Sequence, residues 1–282
     1  METRGYESAG ELLERTKDYL FDRSMPDALM TGFENLDLIT GGFNKGELIC
    51  IAGRPAMGKT GFALSMIKNI CIEQGKSCLY FSLEHSGLQL LKKLISFCSV
   101  EKVEELSSMR DLPHVERAIL DIGKAPLYIN DMPALSVEEI RELYNRGRSN
   151  GTIDLIIIDY FQLISDGNLR GDNSKDIRNK KLSELKRFAS ETQCPVIVLS
   201  QLSRDVEKRK DHRPLLKDLR ITGNFERFVD KILFIYRDEY YCDDTERKGI
   251  ADIIVVKNHI GYLGTVSLVH LWGGYFVDMS KR

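Results

Sequence analysis

The run Leu48-Ile49-Cys50-Ile51-Ala52 passes without a break into Gly53-Arg54-Pro55-Ala56-Met57-Gly58-Lys59-Thr60, and Phe62-Ala63-Leu64-Ser65-Met66-Ile67 follows. Five consecutive apolar residues suit a strand covered on both faces, and the next eight match the spacing of a phosphate-binding P-loop. Such a loop turns its backbone amides inward toward a phosphate and opens a helix whose positive end adds to the attraction. Lys59 is expected to reach the β and γ phosphates. Thr60 is expected to offer its hydroxyl to magnesium, which takes near-octahedral oxygen ligands and keeps several waters. The plain alternative is a chance glycine-rich turn, and the strand before it and helix after it weigh against that.

Strands and helices alternate beyond this point. Ser77-Cys78-Leu79-Tyr80-Phe81-Ser82-Leu83-Glu84 and Pro126-Leu127-Tyr128-Ile129-Asn130 read as strands, with helical patterns between. Asp154-Leu155-Ile156-Ile157-Ile158-Asp159 and Pro195-Val196-Ile197-Val198-Leu199-Ser200 are almost wholly apolar, as strands sandwiched by helices must be. The fold class that follows is α/β, a mostly parallel sheet flanked by helices. From Ile232 onward the pattern predicts an antiparallel C-terminal extension on one edge: 232–236, 250–257, 264–271 and 275–278, joined by glycine-containing turns. The chain has 282 residues, 43% of them hydrophobic, which is ample for one such domain with a short appendage.

Three positions join the P-loop as candidate site residues. Asp159 closes an apolar strand, where a Walker B acid holds magnesium through water; a carboxylate merely capping a strand is the alternative. In many such ATPases a glutamate follows that aspartate, but here the place belongs to Tyr160, so the residue that activates water must come from elsewhere. Glu84, at the end of the strand after the P-loop helix, would face the ligand crevice and is the predicted base. Gln201 follows another strand and could sense a γ-phosphate; the alternative is a polar loop residue.

Six cysteines are scattered with no Cys-x-x-Cys pair, and no apolar run approaches a signal core or a membrane span. Zinc and a disulfide framework are not expected, and a cytosolic, soluble protein is. The net charge is only −2, so any nucleic-acid surface must be local. Residues 165–187 and 203–220 each carry seven basic residues against four acidic ones, which suits loops that grip phosphates, and solvated loops of mixed charge fit equally well. Neither carries an aromatic stacking platform. Ahead of all this, Ser8 and Glu11 form a capping box for an amphipathic helix over 8–22, with Leu12, Leu13, Tyr19 and Leu20 on one face and a connector at 24–30. That helix folds back on its own domain or docks on a neighbouring subunit. Residues 1–30 are read as this helix and connector, and 31–282 as the main domain.

Taken together the strings resemble the C-terminal motor domain of DnaB-type replicative helicases, in the RecA-like ATPase superfamily. The likeness runs from Thr31-Gly32-Phe33-Glu34-Asn35-Leu36-Asp37 through the P-loop, Ser82-Leu83-Glu84, Ile158-Asp159-Tyr160-Phe161-Gln162-Leu163, Leu199-Ser200-Gln201-Leu202-Ser203-Arg204 and Tyr236-Arg237-Asp238-Glu239-Tyr240-Tyr241. The resemblance implies ATP with magnesium at each interface of a ring, usually a hexamer, and single-stranded DNA in its channel. It also implies docking of the 8–22 helix on the adjacent subunit. Arg220 and Gly223 carry over as contacts to the DNA backbone; Ile221, Arg227 and Phe228-Val229 depart from the family pattern there. Lys257 carries over as a contact made in the neighbour's ATP site. His259 stands where the family has an arginine finger, and a neutral imidazole would stabilise phosphoryl charge poorly. Weak turnover, or Lys257 acting alone, is the consequence.

The family's N-terminal domain, which contacts primase, has no counterpart in residues 1–30. That leaves a truncated chain or a naturally short phage or mobile-element version, with a primase or helicase loader as possible partners. The leading expectation is a helicase motor translocating on single-stranded DNA during replication. A helicase-like assembly factor that binds ATP but hydrolyses and unwinds little is the alternative, and another RecA-like enzyme, a recombinase or clock-type ATPase, is a third.

Overall fold

The computed structural model describes residues 8–10, 13–14, 28–100, 112–147, 151–171, 173–220 and 224–281. The helix expected over 8–22 falls largely outside these, as do Gly223 and the side chain of Arg220.

The domain that follows residue 30 opens with a short helix, α1 (Glu34–Thr40). Its Asp37 carboxylate accepts from the amides of Thr31 and Gly32 at 2.9 and 3.0 Å and from the Thr31 hydroxyl at 2.8 Å. Those bonds occupy donors that precede the helix. The P-loop joins β1 (Leu48–Gly53) to α2 (Lys59–Ile67). Next come β2 (Cys78–Ser82), α3 (Gly87–Ser99), α4 (Pro113–Lys124), β3 (Leu127–Asn130), α5 (Val137–Gly147) and β4 (Leu155–Asp159). The chain continues through α6 (Ser174–Thr192), β5 (Val196–Gln201), α7 (Leu216–Arg220), α8 (Phe225–Phe228) and β6 (Lys231–Tyr236). It ends in β7 (Ile250–Asn258), β8 (Gly264–His270) and β9 (Phe276–Asp278).

Nine strands form one sheet in the order β3-β2-β4-β5-β1-β6-β7-β8-β9. Alternation along β1 sends Ile49 and Ile51 into one core, shared with Phe62, Met66 and Phe97. Leu48, Cys50 and Ala52 enter the other, shared with Leu182, Leu185 and Phe188. The central strands are therefore apolar from end to end because each face has its own helical cover. Among the described residues no helix is long and apolar enough to cross a membrane.

Three sequence expectations need correction. The reversal of strand direction comes one strand later than predicted, because β6 runs parallel to β1 (Ile49 opposite Lys231, Ala52 opposite Phe234) and only β7, β8 and β9 are antiparallel. The path from β5 through α7 and α8 is long enough for a parallel crossover, and all six β6 residues are buried like those of an inner strand. The strand expected to reach Glu84 stops at Ser82. There the Ser82 hydroxyl donates to the His85 carbonyl at 2.6 Å and bends the chain.

The basic segment 165–187 is mostly helix rather than loop, since α6 is capped by the Asn173 side chain accepting from the amides of Lys175 and Asp176. Much of its charge is consumed internally. Lys181 is buried against the Ile164 carbonyl and Asp166, Lys186 pairs with Asp230 at 2.7 Å, and Arg187 pairs with Glu184.

Candidate nucleotide site

Strand register gathers the site. Gly53 lies opposite Gln201, and Ser82 lies opposite Asp159, so the four strand ends share the C-terminal edge of the parallel block. That edge is where ligands sit in open α/β sheets. A cavity of ≈ 390 Å³ opens there, lined by Pro55, Ala56, Gly58, Lys59 and Thr60 of the loop together with Glu84, Asp159 and Gln201. Of the remaining loop residues, Met57 is buried in the core and the Arg54 side chain turns away from the cleft.

The loop geometry depends on Gly58, whose φ of 96° lies in the region that L side chains avoid, and a Cβ there would press on the Phe276 ring at 2.9 Å. Lys59 Nζ donates to the carbonyls of Gly53 and Arg54, each at 3.2 Å. Burial pushes the Lys59 ammonium below the usual lysine range, opposed by the attraction of Asp159 and Glu84. The Thr60 hydroxyl and the Tyr80 phenol both donate to Asp159 Oδ2, at 2.8 and 2.7 Å. A hydroxyl and a buried carboxylate thus stand side by side, the oxygen donors a hard divalent cation takes. Glu84 is half-exposed, with its carboxylate 3.8 Å from His85 Nε2.

The structure adds groups that the sequence alone does not single out. Gln162 donates to the carbonyl of Gln201 and to the Ser200 hydroxyl, both at 3.1 Å, and accepts from the Gln201 amide at 3.2 Å, so it fixes the end of β5. Arg237, just past β6, donates through Nη1 to the Ala56 carbonyl at 3.1 Å and through Nε to Glu239 at 3.0 Å. Glu239 also accepts from the Gly249 amide at 2.7 Å and faces His270 Nδ1 at 3.7 Å. Burial first, and then the Arg237 charge, drive the His270 imidazole down to about 4, so it is neutral on the cavity wall at pH 7. Gln162 and Arg237 both lie inside strings that carry the resemblance, and that was the available signal.

Lys257 and His259 do not reach this cavity. Asn258 pairs with Lys231 at the start of β6, which puts both residues at the opposite end of the sheet. Lys257 Nζ donates to the carbonyls of Glu226 and Val229, at 2.8 and 2.5 Å, and burial lowers its proton affinity. His259 is exposed, with Nδ1 at 3.4 Å from Asp230. Any part they play in hydrolysis needs a second copy of the chain.

The family described as the DnaB-like helicase C-terminal domain matches residues 28–274. The chain is similar to the replicative DNA helicase DnaC of Bacillus subtilis (strain 168), 37% identical over 257 residues, covering 89% of this chain and 57% of that one. It is also similar to the replicative DNA helicase DnaB of Geobacillus stearothermophilus, 37% identical over 261 residues with the same coverage. The chain thus spans a little over half the length of these relatives. Among solved structures, one described as an ATPase domain superposes with a TM-score of 0.89 at 31% identity, covering 97% of this chain and 99% of that one. A DnaB-like replicative helicase, described with its interactions with primase, gives 0.86 at 30% identity, covering 99% and 68%.

Proposed function

Because this chain belongs to the DnaB-like helicase C-terminal domain family, we propose that it is the motor of a replicative helicase, hydrolysing ATP to move along single-stranded DNA. The observation that carries this reading is the meeting of Lys59, Thr60, Asp159 and Glu84 around one cavity at the edge where strand ends converge. The donor set fits a magnesium nucleotide: an ammonium held by two carbonyls, beside a hydroxyl and a carboxylate 2.8 Å apart. Magnesium, when bound, would offset charge on the phosphate oxygens.

Lys59 exchanges its carbonyl partners for the β and γ phosphates, and the loop amides of residues 53–60 hold the same group. Thr60 and Asp159 hold the metal. Glu84 orients the attacking water and takes its proton. Gln201, fixed in place by Gln162, responds to loss of the γ-phosphate and relays it toward the segment after β5. Arg220 and Gly223 contact the DNA backbone, and salt-sensitive binding follows. Lys257 and His259 complete the site of an adjacent copy, so a ring, typically six subunits, is the working assembly. Residues 1–30 are the linker to that neighbour and 31–282 the motor; a primase or a loader is the class of protein partner. The relatives are named as replicative helicases, which favours a motor over an assembly factor with little turnover.

The test is ATP hydrolysis with and without single-stranded DNA, followed by unwinding of a forked duplex, with Lys59→Ala as the control. DNA-stimulated hydrolysis and unwinding that vanish in the control are expected. Absence of hydrolysis under conditions where the ring forms would sink the motor reading.

A further inference from the structure

Arg54 sits in the phosphate loop, yet its guanidinium leaves the cleft and is only 8% exposed. Nη1 donates to the Leu202 carbonyl at 2.8 Å, while Nε and Nη2 both donate to Glu207 Oε1 at 3.0 and 2.7 Å. The Leu202 amide donates in turn to the Gly53 carbonyl at 3.2 Å, so Leu202 is clamped to two successive loop residues. Those are the residues whose carbonyls hold Lys59 Nζ. Movement of the lysine toward a phosphate therefore frees the Arg54 carbonyl and leaves the Gly53 carbonyl to the Leu202 amide, altering the backbone at both residues of the clamp.

Glu207 belongs to a single 3₁₀ turn, Arg204–Lys208. The next residue, Arg209, makes a two-pronged pair with Asp218 of α7, at 2.8 and 2.6 Å. Asp218 is buried at 1%, accepts also from the Leu215 amide at 2.7 Å, and through its own carbonyl accepts from the Ser203 amide at 3.1 Å. The turn is thus tied to the phosphate loop through Glu207, and to the helix whose last residue is Arg220 through Ser203 before it and Arg209 after it.

We infer that Glu207 and Arg209 are positioning residues that transmit the state of the phosphate loop to α7, and so couple hydrolysis to DNA contact. This rests on the reading of Arg220 and Gly223 as the DNA-contacting strip. A planar guanidinium suits both joints, because its fixed fork transfers a rotation or shift of one element to the carboxylate it grips. The nucleotide's loss then registers at α7 through two charged joints rather than through Gln201 alone.

Glu207→Gln, Arg209→Lys and the double variant test this in the full chain, with ATPase measured with and without single-stranded DNA. Glu207 is 42% exposed and lysine keeps the charge at 209, so all three are expected to fold, which thermal midpoints check. The expected result is an unchanged DNA-free rate and ATP KM, with the stimulation by DNA cut about fivefold or more in each single variant. The double variant should lose no more than the worse single one, because both sit in one path. Full stimulation in all variants, additive losses, or a DNA-free rate that falls in step would overturn the relay. A wild-type chain that hydrolyses ATP without responding to DNA would overturn the strip assignment and the relay with it.

Discussion

Glu84 is near enough to Lys59 for the two charges to attract, but no bond ties its carboxylate to the phosphate loop. With Glu84 as the base, Glu84→Gln keeps the side chain's shape and removes only its capacity to take a proton. ATP binding, read with a fluorescent analogue, should persist while hydrolysis falls about 10²- to 10⁴-fold; an equal loss of binding would assign Glu84 to holding substrate instead. His259 gives the opposite test. His259→Arg restores a forked, permanently charged donor, and DNA-stimulated hydrolysis should rise about tenfold or more, a part of what an arginine finger supplies. An unchanged rate would show that the histidine does not limit turnover. His270 makes a prediction about pH. An ordinary histidine binds its proton near 6.5, whereas buried His270 resists it down to about 4. Between those values the unfolded chain holds more protons, so stability present at neutral pH is lost as pH falls through that window. The loss is on the order of 3 kcal/mol at the lower end. Thermal melts from pH 7 to 4 should show a shallower decline for His270→Phe than for wild type, and parallel curves would refute the assignment.

Helix α2 lies so close to the turn before β9 that a Cβ on Gly61 would stand 2.1 Å from the Gly274 carbonyl oxygen. The backbone must shift to accept any side chain there. Gly61→Ala should therefore cost about 1–3 kcal/mol in urea unfolding despite alanine's better helix propensity; a gain in stability would mean that the turn yields freely. The helix carrying Lys59 and Thr60 was legible in the sequence, from its loop and apolar run, but this packing was not. It is made against a residue more than two hundred positions away. Strand β6 shows the same limit. Its six buried residues read as a strand in any arrangement, and only pairing with β1 decides that it runs parallel. Helix α6 was hidden differently. Its mixed charges resemble a solvated loop until Lys181, Lys186 and Arg187 are seen to spend their charge on internal partners.

The parallel and antiparallel parts of the sheet meet beside a buried ion pair. Lys231, at the start of β6 and 0% exposed, bonds Glu47, which precedes β1 and also accepts from the amide of Asn44 at 2.9 Å. Removing one partner strands the other's charge in the interior. Lys231→Met should lower stability by about 3–5 kcal/mol in chemical denaturation, and adding Glu47→Gln should recover a good part of it; no loss in the single variant would mean that water reaches Glu47. The family, the strand-loop-helix that carries Lys59, the place of Asp159 at a strand end and the apolar central strands could all be read in advance, because each is written in consecutive residues. A loop's amides, a strand's period and a helix start depend on neighbours a few positions away. The order of strands could not be read, nor the register that sets Gly53 against Gln201 and Ser82 against Asp159. Nor could the approach of Arg237 to Ala56, the grip of Gln162 on Gln201, or the reach of Arg54 to Glu207. Those contacts join residues dozens to nearly two hundred positions apart. Their partners are chosen by which packing of the whole sheet buries both faces and satisfies its polar groups, and no local string contains that choice.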